Sequence, residues 1–139
     1  MLVRALADTG ALLACLDRDD PWHRRCLDSL PLLHLPMPTS VAVLTELFHL
    51  LGDDRRDVAR AWAFVRSGVI TVLSISDPET ADLAALMDKY HLRPMDLADA
   101  TLVRLAEREG LSTVFTVDHD DFETYRIGGR RRFRILPGR

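Results

Sequence analysis

Two short apolar runs, Leu2 to Ala7 and Ser112 to Val117, each end on an aspartate, Asp8 and Asp118. Runs of that length fit strands, and a strand that ends in an acid delivers it to the rim where open parallel sheets bind their ligands. Further apolar runs follow the same plan. Val69 to Ile75 is β-branched and predicts a buried strand, and Leu32 to Leu35, between Pro31 and Pro36, predicts a short one. Arg131 to Leu136, after the Gly128-Gly129 turn, predicts a last strand at a sheet edge.

Helix signals fill the intervals. Thr9-Gly10 predicts a turn before a helix that starts at Ala11, and Asp20-Pro21 a cap and first-turn proline for a helix to about Leu30. Thr39 or Ser40 caps Val41 to Leu51, which Gly52 ends, and Asp53 or Asp54 opens the helix containing Val58 to Val65. Asp77-Pro78-Glu79 repeats the cap-plus-proline signal for a helix to about Tyr90. Asp96, after Pro94, caps a sixth helix that Gly110 closes. Strands alternating with helices predict a three-layer α/β/α sandwich, its central parallel sheet built from four or five strands. With 139 residues and no linker or low-complexity tract, the chain reads as one domain over 1–139.

Composition narrows the function classes. No run approaches the ~20 apolar residues of a membrane span, and the N-terminus lacks a signal-peptide layout, so the expected compartment is the cytoplasm. Cys15 and Cys26 lack metal spacing and read as buried free thiols. A net charge of −3 does not advertise nucleic-acid binding by itself. Of the 18 basic residues only Lys89 is lysine, and arginine suits bidentate phosphate contact, although a GC-rich genome yields the same bias.

The acids carry the chemistry. Asp99 lies one turn after Asp96 on a face continued by Val103 and Ala106. An acidic first turn is ordinary at a helix start, yet a carboxylate on an apolar face is costly to bury without a cation. Glu46 sits in a helix apolar nearly all round, which predicts burial, with His49 one turn on as a structural partner. Asp8 and Asp118 each read equally as helix caps, and Asp121 follows Asp118 by three residues. Four carboxylates converging on one rim would repel, a pair at ~4 Å by up to about 4 kcal/mol at an effective dielectric near 20. One or two divalent cations remove that penalty, and oxygen-only ligands suit Mg²⁺ or Mn²⁺.

The order Ala7-Asp8-Thr9, Thr45-Glu46-Leu47, Leu97-Ala98-Asp99-Ala100 and Thr116-Val117-Asp118 with Asp121-Phe122 resembles the PIN domain family, in its VapC-type toxin branch. The resemblance implies a metal-dependent endoribonuclease toxin that a cognate antitoxin inhibits, acting as a homodimer. It places the catalytic, metal-holding quartet on Asp8, Glu46, Asp99 and Asp118, adds Asp96 and Asp121 as further candidate ligands, and makes Thr116 a hydrogen-bonding residue beside the site. Arg24, Arg25, Arg93 and the Arg130-Arg131-Arg132 segment are the candidates for RNA contact at the rim. A haloacid-dehalogenase-type phosphatase would need a second Asp at residue 10, where Gly10 stands. A DNA-directed 5′-nuclease and a receiver-like or degenerate PIN binding scaffold are the remaining alternatives.

Overall fold

A computed structural model describes residues 1–139. Strand β1 (Ala5–Ala7) leads into α1 (Thr9–Leu16), and α2 (His23–Ser29) leads through a 3₁₀ turn to β2 (Met37–Thr39). Helices α3 (Val41–Leu51) and α4 (Arg55–Phe64) follow, then β3 (Ile70–Val72), α5 (Thr80–Lys89) and α6 (Leu97–Glu109). The chain closes with β4 (Thr113–Phe115), α7 (His119–Thr124), the small strands β5 (Arg126–Ile127) and β6 (Arg131–Arg132), and β7 (Arg134–Leu136).

The sheet is parallel. β4 pairs with β1, Ala7 opposite Phe115, and with β7, Phe115 opposite Leu136. β2 pairs in parallel with β3, Thr39 opposite Val72. β1 and β2 join through a parallel bridge between Val3 and Leu33 and through the Thr39 hydroxyl, which donates to the Ala7 carbonyl at 2.8 Å. The order is therefore β3-β2-β1-β4-β7. Every residue of β1 and β4 is buried, as parallel strands are when helices cover both faces. α6 is the most buried helix; Ala98 to Val103 are all enclosed. Glu79, almost fully buried, accepts from Arg104 and Arg108 at 2.8 and 2.9 Å and ties the second half of α6 to the start of α5. No helix is long and apolar enough to cross a membrane.

Several boundaries depart from the sequence reading. Thr9 and Gly10 are the first residues of α1 rather than a turn. Asp20 accepts from the Trp22 N–H and makes a turn, so α2 begins later, at His23. Only Leu33 of the Leu32 to Leu35 segment pairs, and the strand lies beyond it around Pro38. Thr39 accepts from Leu73 N, so it turns its backbone to β3, and Pro38 turns its donorless nitrogen toward the β1 seam. Ser76, not Asp77, caps the turn leading to α5, with Glu79 bonding back to it.

The Val69 to Ile75 run supplies only β3, an edge strand whose Val72 is half exposed. Arg131 to Leu136 is two strands. β6 pairs antiparallel with β5, and buried Phe133, edge-to-face with Phe122, marks the switch to β7. α3 buries only Val43 and Leu47 completely; Val41 is 63% and Leu50 56% exposed, so this helix lies at the surface. Cys26 is buried and Cys15 half-buried, both free, and burial pushes each thiol up to about 12.

Candidate metal centre

β1 and β4 end side by side, and the Asp8 N–H continues their ladder by donating to the Phe115 carbonyl at 2.9 Å. Gly10 makes the close approach possible, since a Cβ there would meet Val117 Cγ2 at 2.7 Å. Asp8 stands at the start of α1, but its side chain caps nothing. Its Oδ2 instead accepts from the Thr116 hydroxyl at 2.7 Å, and Thr116 Oγ1 accepts from the Asp118 N–H at 3.0 Å. One hydroxyl thus connects the acids that follow the two central strands.

α6 brings in Asp99. Asp96 is the helix cap, its Oδ1 accepting from the Asp99 N–H at 2.8 Å, which leaves the Asp99 side chain free to face the rim. Asp99 is 7% exposed, and its Oδ2 accepts from the Tyr125 hydroxyl at 2.8 Å. Asp118 caps α7 and accepts from the Asp121 N–H at 3.4 Å. One oxygen each of Asp99, Asp118 and Asp121 lie within 4.8 Å of one another. Arg93 reaches this edge and donates to Asp121 Oδ1 at 2.8 Å.

The electrostatics follow from this crowding. Burial raises Asp8 from 3.8 to about 6 against the Thr116 hydrogen bond, and Glu46 and Asp96 add repulsion. Burial raises Asp99 from 3.8 to about 8, with Asp8, Asp96 and Asp118 adding to it. Asp118 moves up through burial and its neighbour Asp121. Glu46, half-buried on α3, moves up through burial and through Asp96, while the Thr9 hydroxyl acts the other way. All four quartet residues therefore belong to one electrostatic cluster, with the tightest grouping at Asp99, Asp118 and Asp121. The donors are all oxygens. His119 is engaged elsewhere, its Nδ1 and Nε2 at 3.1 and 2.8 Å from the Val117 and Pro137 carbonyls. Carboxylates whose protons are held chiefly by burial, with mutual repulsion added, fit a small hard divalent cation.

The remaining sequence candidates divide. His49 is exposed and is no partner of Glu46, because α3 turns that side to solvent. Arg25 covers the Trp22 ring at 4.4 Å and donates to the Gly138 carbonyl; Trp22 lies 5.1 Å from His119, which follows Asp118. Arg24 is exposed on α2. Arg130, Arg131 and Arg132 are not at the rim. They precede β7, whose first residue Arg134 is level with Thr113 at the start of β4, at the opposite end of the sheet from Asp118. The Gly128 N–H on that hairpin bonds Glu107, eight residues or roughly 12 Å along α6 from Asp99. Tyr125 is the residue that sequence reasoning missed. An aromatic after a short acidic helix carries no spacing signal, and its contact with Asp99 appears only once α7 has docked on α6.

The PIN domain family profile matches residues 5–127, most of the chain and every acid described above. The chain belongs to the PIN domain family. It is 29% identical to ribonuclease VapC26 of Mycobacterium tuberculosis over 135 residues, which cover 95% of this chain and 99% of that protein. The crystal structure of VapC20 from the same species, a sarcin-ricin loop cleaving toxin, superposes with a TM-score of 0.74 at 20% identity, covering 84% of this chain and 91% of that one. PAE2754 of Pyrobaculum aerophilum superposes with a TM-score of 0.52 at 20% identity, covering 86% and 84%. These likenesses place the PIN fold of this chain on the same parallel sheet and helices described above.

Proposed function

We propose that this PIN domain is a metal-dependent endoribonuclease, a VapC-type toxin held in check by a cognate antitoxin. The observation that carries the reading is the meeting of Asp99, Asp118 and Asp121 oxygens within 4.8 Å, beside a buried Asp8 that shares Thr116 with Asp118. The full-length similarity to a ribonuclease supports RNA as the substrate class.

In this reading Asp8, Glu46, Asp99 and Asp118 hold Mg²⁺ or Mn²⁺, Asp121 stands beside Asp99 and Asp118 as a further oxygen donor, and Asp96 steadies the first turn of α6. Held by these carboxylates, such a cation would supply polarisation of a scissile phosphate and a water of lowered pKa. The residues do the rest. Thr116 orients Asp8, the Asp96 cap fixes the turn that carries Asp99, and Arg93, drawn to Asp121, brings a guanidinium to the edge where a phosphate arrives. Arg25, across from His119, is the second candidate for a phosphate contact at this rim.

The exposed apolar side chains Val41, Leu50 and Trp62 on α3 and α4 are the surface this reading assigns to a homodimer. The cytoplasm is the compartment it implies, where toxin, antitoxin and RNA meet. Purified protein incubated with total RNA tests the proposal. Cleavage that EDTA stops, Mn²⁺ restores and Asp8→Asn abolishes supports it; cleavage that persists in EDTA contradicts it.

A further inference from the structure

Asp8 and Asp99, the two most enclosed acids of the cluster, share one feature. In each, Oδ2 is occupied by a hydroxyl donor, Thr116 for Asp8 and Tyr125 for Asp99. Tyr125 is completely buried, and its ring is held on two sides, by Phe122 at 5.3 Å and Tyr90 at 5.0 Å, both edge-on. Its backbone N–H bonds the Asp121 carbonyl at 3.0 Å, so the helix that carries Asp121 also fixes where Tyr125 points. The Tyr90 hydroxyl accepts from the Arg126 N–H at 3.0 Å, which anchors the second ring in turn. The Tyr125 hydroxyl therefore has one place to go, and that place is Asp99 Oδ2.

We propose that Tyr125 is a positioning residue that sets the cation preference of the centre: by holding Asp99 Oδ2, it fixes the rotation of the carboxylate and leaves Oδ1 as the oxygen with both lone pairs free for a metal ion, which disfavours two-oxygen chelation. The inference rests on the reading that these acids hold a divalent cation. Ca²⁺ is accommodated by carboxylates that give both oxygens at about 2.3–2.6 Å in a flexible shell, whereas Mg²⁺ demands near-octahedral geometry at about 2.0–2.1 Å. An Asp99 with one oxygen engaged favours the smaller ion. Removing the hydroxyl lets the carboxylate rotate and chelate. Partners of this outer kind typically change metal affinity by about 10–100-fold when lost.

The test is calorimetric titration of the metal-free protein with Mg²⁺ and, separately, Ca²⁺. Tyr125→Phe keeps the ring and its packing. It is expected to weaken Mg²⁺ by about tenfold while Ca²⁺ holds or gains, so that the Ca²⁺-to-Mg²⁺ affinity ratio rises by about tenfold. Phe122→Leu disturbs the same aromatic cluster without touching the hydroxyl, and it should lower Tm and leave the ratio at the wild-type value. Affinities unchanged in Tyr125→Phe, a fall by the same factor for both ions, or an equal ratio shift in Phe122→Leu each overturn the proposal. A wild-type protein that binds neither ion overturns the metal reading itself.

Discussion

Thr116 and Asp8 lie 108 residues apart in the chain and share a 2.7 Å hydrogen bond at the end of the central strand pair. The same Thr116 oxygen receives the Asp118 N–H, so a single side chain sets the spacing between the two strand-end acids. Thr116→Val keeps the shape and loses both bonds inside a fully buried position. It is expected to destabilise the protein by about 1–3 kcal/mol in urea unfolding and to reduce RNA cleavage sharply. Thr116→Ser should restore most of both.

Asp96 and Asp99 are one turn apart and do different work. Asparagine caps a helix as well as aspartate, so Asp96→Asn should leave Tm close to wild type, and Asp96→Ala should cost about 1 kcal/mol. Asp99→Asn should remove metal binding while the protein stays folded. Equal loss of metal affinity in Asp96→Asn and Asp99→Asn, measured by Mn²⁺ titration, would contradict this division.

Burial raises the folded-state values of Asp8 and Asp99 above the ordinary 3.8, to about 6 and about 8. A carboxyl group shifted upward contributes stability that is fully present below its unfolded value and is lost as pH rises through its folded value. The metal-free protein is therefore expected to lose Tm between about pH 4 and pH 8, opposite to the usual trend for paired acids. Glu79, held down at about 2 by its Ser76 and arginine partners, contributes in a lower window and does not mask this. Thermal melts across that range in EDTA check the slope, and added Mg²⁺ should restore Tm most at the alkaline end.

Arg130, Arg131 and Arg132 stand at the far end of the sheet, so replacing all three with alanine should leave cleavage of a short oligonucleotide at the wild-type rate. Arg93→Ala, which removes the guanidinium paired with Asp121, should lower it. Steady-state cleavage of one short RNA by both variants separates the two positions.

What the sequence disclosed followed from locality. The caps at Ser40, Asp54 and Asp96 and the stop at Gly110 depend on neighbours within one helical turn, and the structure has each in place. The acids after β1 and β4 were legible because an apolar run ending in Asp states its own direction. Features that depend on docking were not. Val41 to Leu51 is apolar nearly all round, and nothing local distinguishes a buried helix from one with a bare outer face. The strand around Pro38 carries no local strand signal, because proline lacks the ladder donor, and only the seam beside β1 tolerates that missing donor. The arginine run gave no sign of where its hairpin would place it, and Tyr125 finds Asp99 across 26 residues.

Asp8, Glu46, Asp99 and Asp118 are proposed to form a cation-dependent ribonuclease centre. Cleavage of total RNA by wild type and Asp99→Asn, each assayed in EDTA and after Mn²⁺ addition, tests it most directly. Wild type is expected to cleave only with the metal, and Asp99→Asn to stay inactive in both conditions while its melting curve remains cooperative. Full Mn²⁺-dependent cleavage by folded Asp99→Asn would contradict it.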